Sequence, residues 1–129
     1  MQGFLQIFTR RLRAVPIPGH SVAGMSVTTT GPLEIREDES SVLVEGRRVS
    51  LTVREFEVFL ALASRPDRVV QRPDIYREVW NAPMPYRDRA VDVFVRKVRQ
   101  KLDDAAPEWA FIHTHFGIGY RFSPEPRAQ

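Results

Sequence analysis

The stretch Arg89-Ala-Val-Asp-Val-Phe-Val-Arg-Lys-Val-Arg-Gln-Lys-Leu102 leaves the chain little choice of how to fold around it. At about 100° per residue, Val91, Val95, Val98 and Leu102 fall within one narrow arc, with Phe94 beside them. Arg89, Asp92, Arg96, Lys97 and Gln100 point the other way, and Arg99 lies at the flank. Such a helix is buried on one side only, so the rest of the domain must pack against a single stripe. Between Arg87 and Lys101 there are six basic and two acidic residues, whereas the whole chain carries a net charge of only +3. The positive charge is therefore concentrated on one helix, the footprint of an element that meets a polyanion rather than of an ordinary solvated face.

A chain of 129 residues is long enough for one domain with its own core. It has no cysteine, which excludes disulfides and thiolate chemistry and suits a reducing cytoplasm. No apolar run approaches the roughly 20 residues that cross a bilayer.

The first 31 residues read as a flexible basic segment and linker. No acidic residue precedes Glu34, and Phe4, Ile7, Phe8 and Leu12 share a helical face beside Arg10, Arg11 and Arg13. The charge follows the apolar part, the reverse of a signal peptide. Pro16, Pro18 and a Ser/Thr-rich stretch lead to Gly31-Pro32. Residues 32–123 then read as the folded domain and 124–129 as a tail. Leu33–Arg36, Ser41–Glu45 and Arg48–Leu51 are expected as an antiparallel meander, with Glu45-Gly46 as a turn. Thr52-Val-Arg-Glu55 is a capping box, and Phe56, Phe59, Leu60 and Ala63 continue it as an amphipathic helix ending near Arg65-Pro66. Arg68–Gln71 is a short extended link. Pro73 opens a helix running from Asp74 to Trp80 with Ile75, Val79 and Trp80 as apolar members. Two prolines keep Asn81–Tyr86 a loop, the basic helix follows, and Phe111–Thr114 with Gly119–Phe122 form a hairpin around a Gly-containing tip. The fold class is α+β: a sheet, three helices and a C-terminal hairpin, that is, a winged helix-turn-helix whose basic helix stands second in the motif.

Leu51-Thr-x-x-Glu-Phe56, Arg68-Val-Val70, Val79-Trp80, Arg89-x-Val-Asp-Val93 with Arg96 to Leu102, and Gly117-x-Gly-Tyr-Arg-Phe122 closely resemble the OmpR/PhoB-type winged-helix effector domain of bacterial response regulators. The resemblance implies a cytoplasmic, nucleoid-associated bacterial transcription regulator, with a four-stranded sheet ahead of the helices and the hairpin as a wing. Two departures matter. These residues leave no room for the phosphoacceptor receiver domain usual in the family, so either a stand-alone regulator without one or one domain cut from a longer protein is expected. Phe116 also stands where the family's wing usually carries an arginine.

Arg96 and Lys97 resemble the central basic pair of the family's reading helix, and arginine is suited to bidentate pairing with guanine O6 and N7. Val93 lies about 40° from Arg89 on the charged face. It is either a contact for a thymine methyl or an edge-of-core valine. Asp92 either accepts from a cytosine amino group or orients Arg89 or Arg96. Trp80, Arg89, Arg99, Thr114 and Tyr120 occupy positions that contact phosphates in the family; Trp80 is equally placed to be core. His113 and His115 share a strand face, but no cysteine or carboxylate cluster completes a metal site, and His115 is expected near a minor groove instead. Phe116 either wedges into that groove or folds back toward Tyr120 on its own hairpin. Phe94 and Gly117 complete the expected interface. Met84 and Tyr86 sit in the loop that can touch RNA polymerase in the family, and the same loop also reads as a plain connector.

No catalytic Ser/His/Asp order, carboxylate pair or phosphate loop stands out, so neither an enzyme nor a cofactor is expected. The reading is a sequence-specific regulator of double-stranded DNA, with residues 89–102 in the major groove and residues 113–121 near the minor groove. It is expected to be a monomer in solution that pairs in tandem on DNA. The competing reading is a winged-helix interaction module that offers its basic face to an acidic protein or to RNA.

Overall fold

The computed structural model describes residues 21, 22 and 25–127. The amphipathic segment Phe4–Leu12 lies outside the described residues.

Five strands follow one another in an antiparallel sheet whose order is the chain order: β1 (Ser21–Val22), β2 (Met25–Thr30), β3 (Leu33–Arg36), β4 (Ser41–Val44) and β5 (Arg47–Val49). The alternation of the sequence sets its faces. Leu33 pairs with Val44, Ile35 with Val42, and Val42 with Val49, and all five side chains are buried. Glu45 (φ 51°) and Gly46 (φ 82°) form the two-residue loop between β4 and β5; two consecutive positive φ values give the turn whose twist suits a tight hairpin. Here the Ser/Thr-rich stretch departs from its reading as linker. Within Met25–Thr30, Val27 to Thr30 pair with β3, Thr30 opposite Leu33, and Met25 and Ser26 pair with β1, because threonine and valine suit a pleated strand. β2 to β5 thus make the four-stranded sheet that the resemblance implied.

The first helix, α1 (Val53–Ala63), starts on the expected capping box. The Glu55 amide donates to Thr52 Oγ1 (3.2 Å) and the Thr52 amide to Glu55 Oε1 (2.9 Å). Its burial is broader than one stripe: Val58, Ala61 and Leu62 are buried along with Phe56, Phe59 and Leu60, while Ala63 is only partly covered. A helix enclosed on several sides replaces the one-sided helix that its spacing predicted.

The link after α1 is itself a strand, β6 (Val69–Gln71), and it pairs antiparallel with Gly119 to Arg121. α2 (Arg72–Trp80) begins at its proline and ends at Asn81 in the left-handed region. The basic helix, α3 (Ala90–Ala105), runs three residues past Leu102, with Arg89 just outside its first turn. Asp88 caps it, accepting from the Ala90 amide at 2.8 Å. Val91, Val95, Val98 and Leu102 are buried, as their spacing required.

The hairpin is longer than expected: β7 (Trp109–His115) and β8 (Gly119–Pro126) form a three-stranded sheet with β6 on the far side of β8. Part of the expected tail is therefore strand. Gly119 makes this sheet possible. A Cβ there would sit 2.0 Å from the Val70 carbonyl oxygen, so only glycine lets β6 approach β8. Phe122 packs edge-on to Phe59 of α1, with centroids 5.5 Å apart, and ties the hairpin to the helical core.

Candidate nucleic-acid interface

The outward face of α3 and the adjoining face of the hairpin enclose a hollow of about 600 Å³. Arg72, Arg89, Asp92, Val93, Arg96, Arg99, Thr114, Phe116 and Tyr120 line it, so the structure brings together most of the residues singled out in the sequence. Four arginines face one carboxylate there.

That carboxylate is the hub. Asp92 Oδ1 accepts from the Tyr120 hydroxyl (2.6 Å) and from Arg72 Nε (2.7 Å), and Oδ2 accepts from Arg89 Nε (3.3 Å). Burial alone would raise the Asp92 carboxyl; the bonds from Tyr120 and Arg72 outweigh it and hold the group below its ordinary range. Its own burial, and then the bond to Asp92, push the Tyr120 phenol up. Asp92 thus carries three donors, Arg89 among them, and no contact with Arg96 is among those partners. Tyr120 is 5% exposed and its hydroxyl is directed at Asp92, so it fixes the hairpin to α3 from within.

Arg99 forms a second staple. Its guanidinium donates to the Ile112 carbonyl (3.1 Å) and to Thr114 Oγ1 (2.9 Å), joining α3 to β7. The guanidinium of Arg72 lies 4.9 Å from the centre of the Tyr120 ring, and that of Arg99 lies 5.9 Å from it. Arg72 is the residue that sequence reasoning missed. It precedes Pro73 and belongs to no periodic pattern, so only the tertiary contact with Asp92 reveals it.

Arg96 and Lys97 are exposed on the open face of α3, and Lys97 Nζ lies 5.3 Å from the centre of the Phe94 ring. Val93 is half-buried at the floor of the hollow. Trp80 stacks on Tyr76 (4.6 Å) and leans toward Phe94 (5.8 Å), with Arg54 5.1 Å above its ring. It is thus a partly covered ring packed against the core beside α3.

At the hairpin, His115 Nε2 accepts from Arg121 Nε (3.1 Å), and His113 Nε2 lies 2.8 Å from the Ser123 carbonyl oxygen. Among the described residues no group of three or more acidic or histidine side chains is placed to hold a metal. The tip is a tight turn closed by the Ile118 amide on the His115 carbonyl (2.9 Å), with Gly117 at φ 78°. Phe116 does not fold back toward Tyr120. It is 88% exposed, because the first corner of such a turn projects its side chain away from both strands. In the loop before α3, Met84 is half-buried, whereas Tyr86 is exposed and lies under the Arg87 guanidinium at 5.2 Å.

A second hollow of about 520 Å³ lies between α1, β6 and α2. Its arginines face Asp74 and Glu78, and Arg65 is already paired with Glu78 at 2.7 Å. Its three arginines against two carboxylates leave a smaller positive excess than the four against one of the first.

Three helices, a basic third helix with an open face and a hairpin stapled beside it define a winged helix-turn-helix. The family model described as "Transcriptional regulatory protein, C terminal" matches residues 46–122, and the chain belongs to this OmpR/PhoB-type family. It is 37% identical over 91 residues to the transcriptional regulatory protein SrrA of Staphylococcus aureus, covering 70% of this chain and 38% of that one. The chain thus spans well under half the length of that relative. Among solved structures it is similar to the Klebsiella pneumoniae RstA DNA-binding domain in complex with the RstA box (TM-score 0.69, 28% identity, 77% of this chain and 98% of that one). It is also similar to the DNA-binding domain of CpxR from E. coli (TM-score 0.67, 25% identity, 75% and 95%). No helix among the described residues is long and apolar enough to cross a membrane.

Proposed function

We propose that this chain is a sequence-specific, double-stranded DNA-binding transcription regulator of the bacterial cytoplasm, with α3 in the major groove and the β7–β8 hairpin at the adjoining minor groove. The observation that carries this reading is the outward face of α3. Arg96 and Lys97 are free on it, and Arg72, Arg89 and Arg99 ring the hollow beside it. Arg96 reads a base, and Val93 beneath it meets a thymine methyl. Lys97 and Arg89 hold phosphates, with Trp80 supplying an edge contact. Asp92 and Tyr120 work from inside, setting the angle between helix and wing. Tyr86 and Met84 form a separate projection toward RNA polymerase.

Selection of duplexes from a randomised pool, followed by titration across a salt series, tests this. Binding should weaken steeply with salt, in proportion to the phosphates neutralised. Arg96→Ala should cost roughly 1–3 kcal/mol and relax one base position, whereas Lys97→Ala should weaken all sequences alike and flatten the salt slope by about one unit. No enrichment in the pool would refute the reading and favour an acidic protein or RNA as partner for the basic face. The chain is monomeric in solution and pairs in tandem on DNA; sedimentation showing a stable dimer without DNA contradicts that part.

A further inference from the structure

The wing tip is built unlike the rest of the interface. Four arginines ring the hollow, yet the turn beyond His115 carries Phe116, Gly117 and Ile118 and no charge. Phe116 is 88% and Ile118 53% exposed, side by side at the end of the hairpin. Phe116 nevertheless lines the same hollow as Arg89, Arg96 and Arg99, so it faces the surface that meets the duplex. The nearest ring that could supply positive charge, His115, has its Nε2 taken up by Arg121. A bare aromatic held out in water gains nothing where it stands, and the tight turn with its positive-φ glycine holds it there.

We infer that Phe116, backed by Ile118, is a specificity-determining wedge for a deformable base step in the minor groove, a refinement that rests on the DNA-binding reading above. A cation at a wing tip follows the negative potential of a narrow A-tract groove. An apolar tip has no such attraction. It gains instead by covering sugar edges and base faces, which a groove exposes only where it opens. Pyrimidine–purine steps open most readily, because they stack and resist kinking least. The chain should therefore prefer TA or CA/TG steps under its wing and discriminate against A-tracts there. The neighbouring cations suit this arrangement, since the exposed Arg89 and Arg96 line the same hollow as Phe116 and carry the charge that holds a phosphate backbone beside it.

The probe is the duplex recovered by the full chain from a randomised pool, with 2-aminopurine placed at the step under the wing. Wild type should raise the 2-aminopurine fluorescence as the step unstacks, and replacing that step by an A-tract should lower affinity several-fold. Phe116→Ala should lose about tenfold in affinity together with the fluorescence rise, and should bind the step and the A-tract equally. Its salt slope should stay that of wild type, because no charge has been removed. Phe116→Leu should retain part of the preference, and Phe116→Arg should reverse it toward the A-tract. All three should melt as wild type does, since the side chain is exposed. If Phe116→Ala keeps wild-type affinity and flanking preference on a duplex that wild type binds, the wedge is refuted and DNA binding stands. The wedge is equally refuted if Phe116→Ala abolishes only self-association. If wild type recovers no duplex at all, both readings fall.

Discussion

Asp92→Ala should cost more stability than any other single substitution on the charged face of α3. The carboxylate is 23% exposed and accepts three hydrogen bonds, two of them shorter than 2.8 Å. Its removal leaves the Tyr120 hydroxyl inside a residue that is 5% exposed, at a cost of about 1–3 kcal/mol for an unsatisfied buried donor. Arg72 loses its partner as well, but its side chain is 25% exposed and water recovers part of that interaction, so about 1 kcal/mol is added. A total of about 3 kcal/mol corresponds to a fall in Tm of roughly 10 °C for a domain of this size. Tyr120→Phe should cost only about 1 kcal/mol, because Asp92 keeps both of its arginines. The double variant should then be clearly less damaging than the two singles added together, since each removes the same hydrogen bond. Urea unfolding of wild type, both singles and the double variant measures this. The sign with pH follows from the depressed carboxyl. Its contribution is present above the unfolded value near 4 and is lost as pH falls through the lower folded value, so Asp92→Ala and wild type should converge below about pH 4. Equal stability of wild type and Asp92→Ala at pH 7 would refute the reasoning, as would strict additivity.

Gly119→Ala should separate β6 from β8 because the new methyl would overlap the Val70 carbonyl, costing about 3 kcal/mol, and hydrogen exchange should show Val69–Gln71 losing protection. Thr52→Ala should cost about 1 kcal/mol in thermal unfolding through loss of the α1 cap, with DNA affinity unchanged below the melting transition. Val93→Ala should leave Tm within about 2 °C of wild type, because the side chain is only half-buried, while a preference for thymine over cytosine at one position of the selected duplex disappears. A large loss of stability with unchanged base preference would make Val93 a core residue instead.

Most of the architecture was legible because it rests on local periodicity. The stripe Val91, Val95, Val98, Leu102 and the capping box at Thr52 each follow from spacing along one segment, and the structure keeps both. Elements that depend on a distant partner were harder to read. Met25–Thr30 read as linker because a polar strand has no apolar alternation of its own and is defined by the strands it pairs with, chiefly β3. Val69–Gln71 is a strand only because Gly119, some fifty residues later in the chain, leaves space for it. The site divides in the same way. Residue type and helical face were enough to single out Arg89, Arg96 and Lys97 as outward cations, since charge on the far side of a buried stripe has nowhere else to point. Whether a polar side chain is free for a partner or already satisfied is decided only by what the fold sets against it. Arg72 stays invisible until α2 is laid beside α3, and Tyr120 and Asp92 turn inward because each supplies what the other lacks when buried. Phe116 is the converse case: the sequence left open whether the ring reaches outward or folds back toward Tyr120, and the turn geometry, which no residue pattern encodes on its own, holds it out in the open.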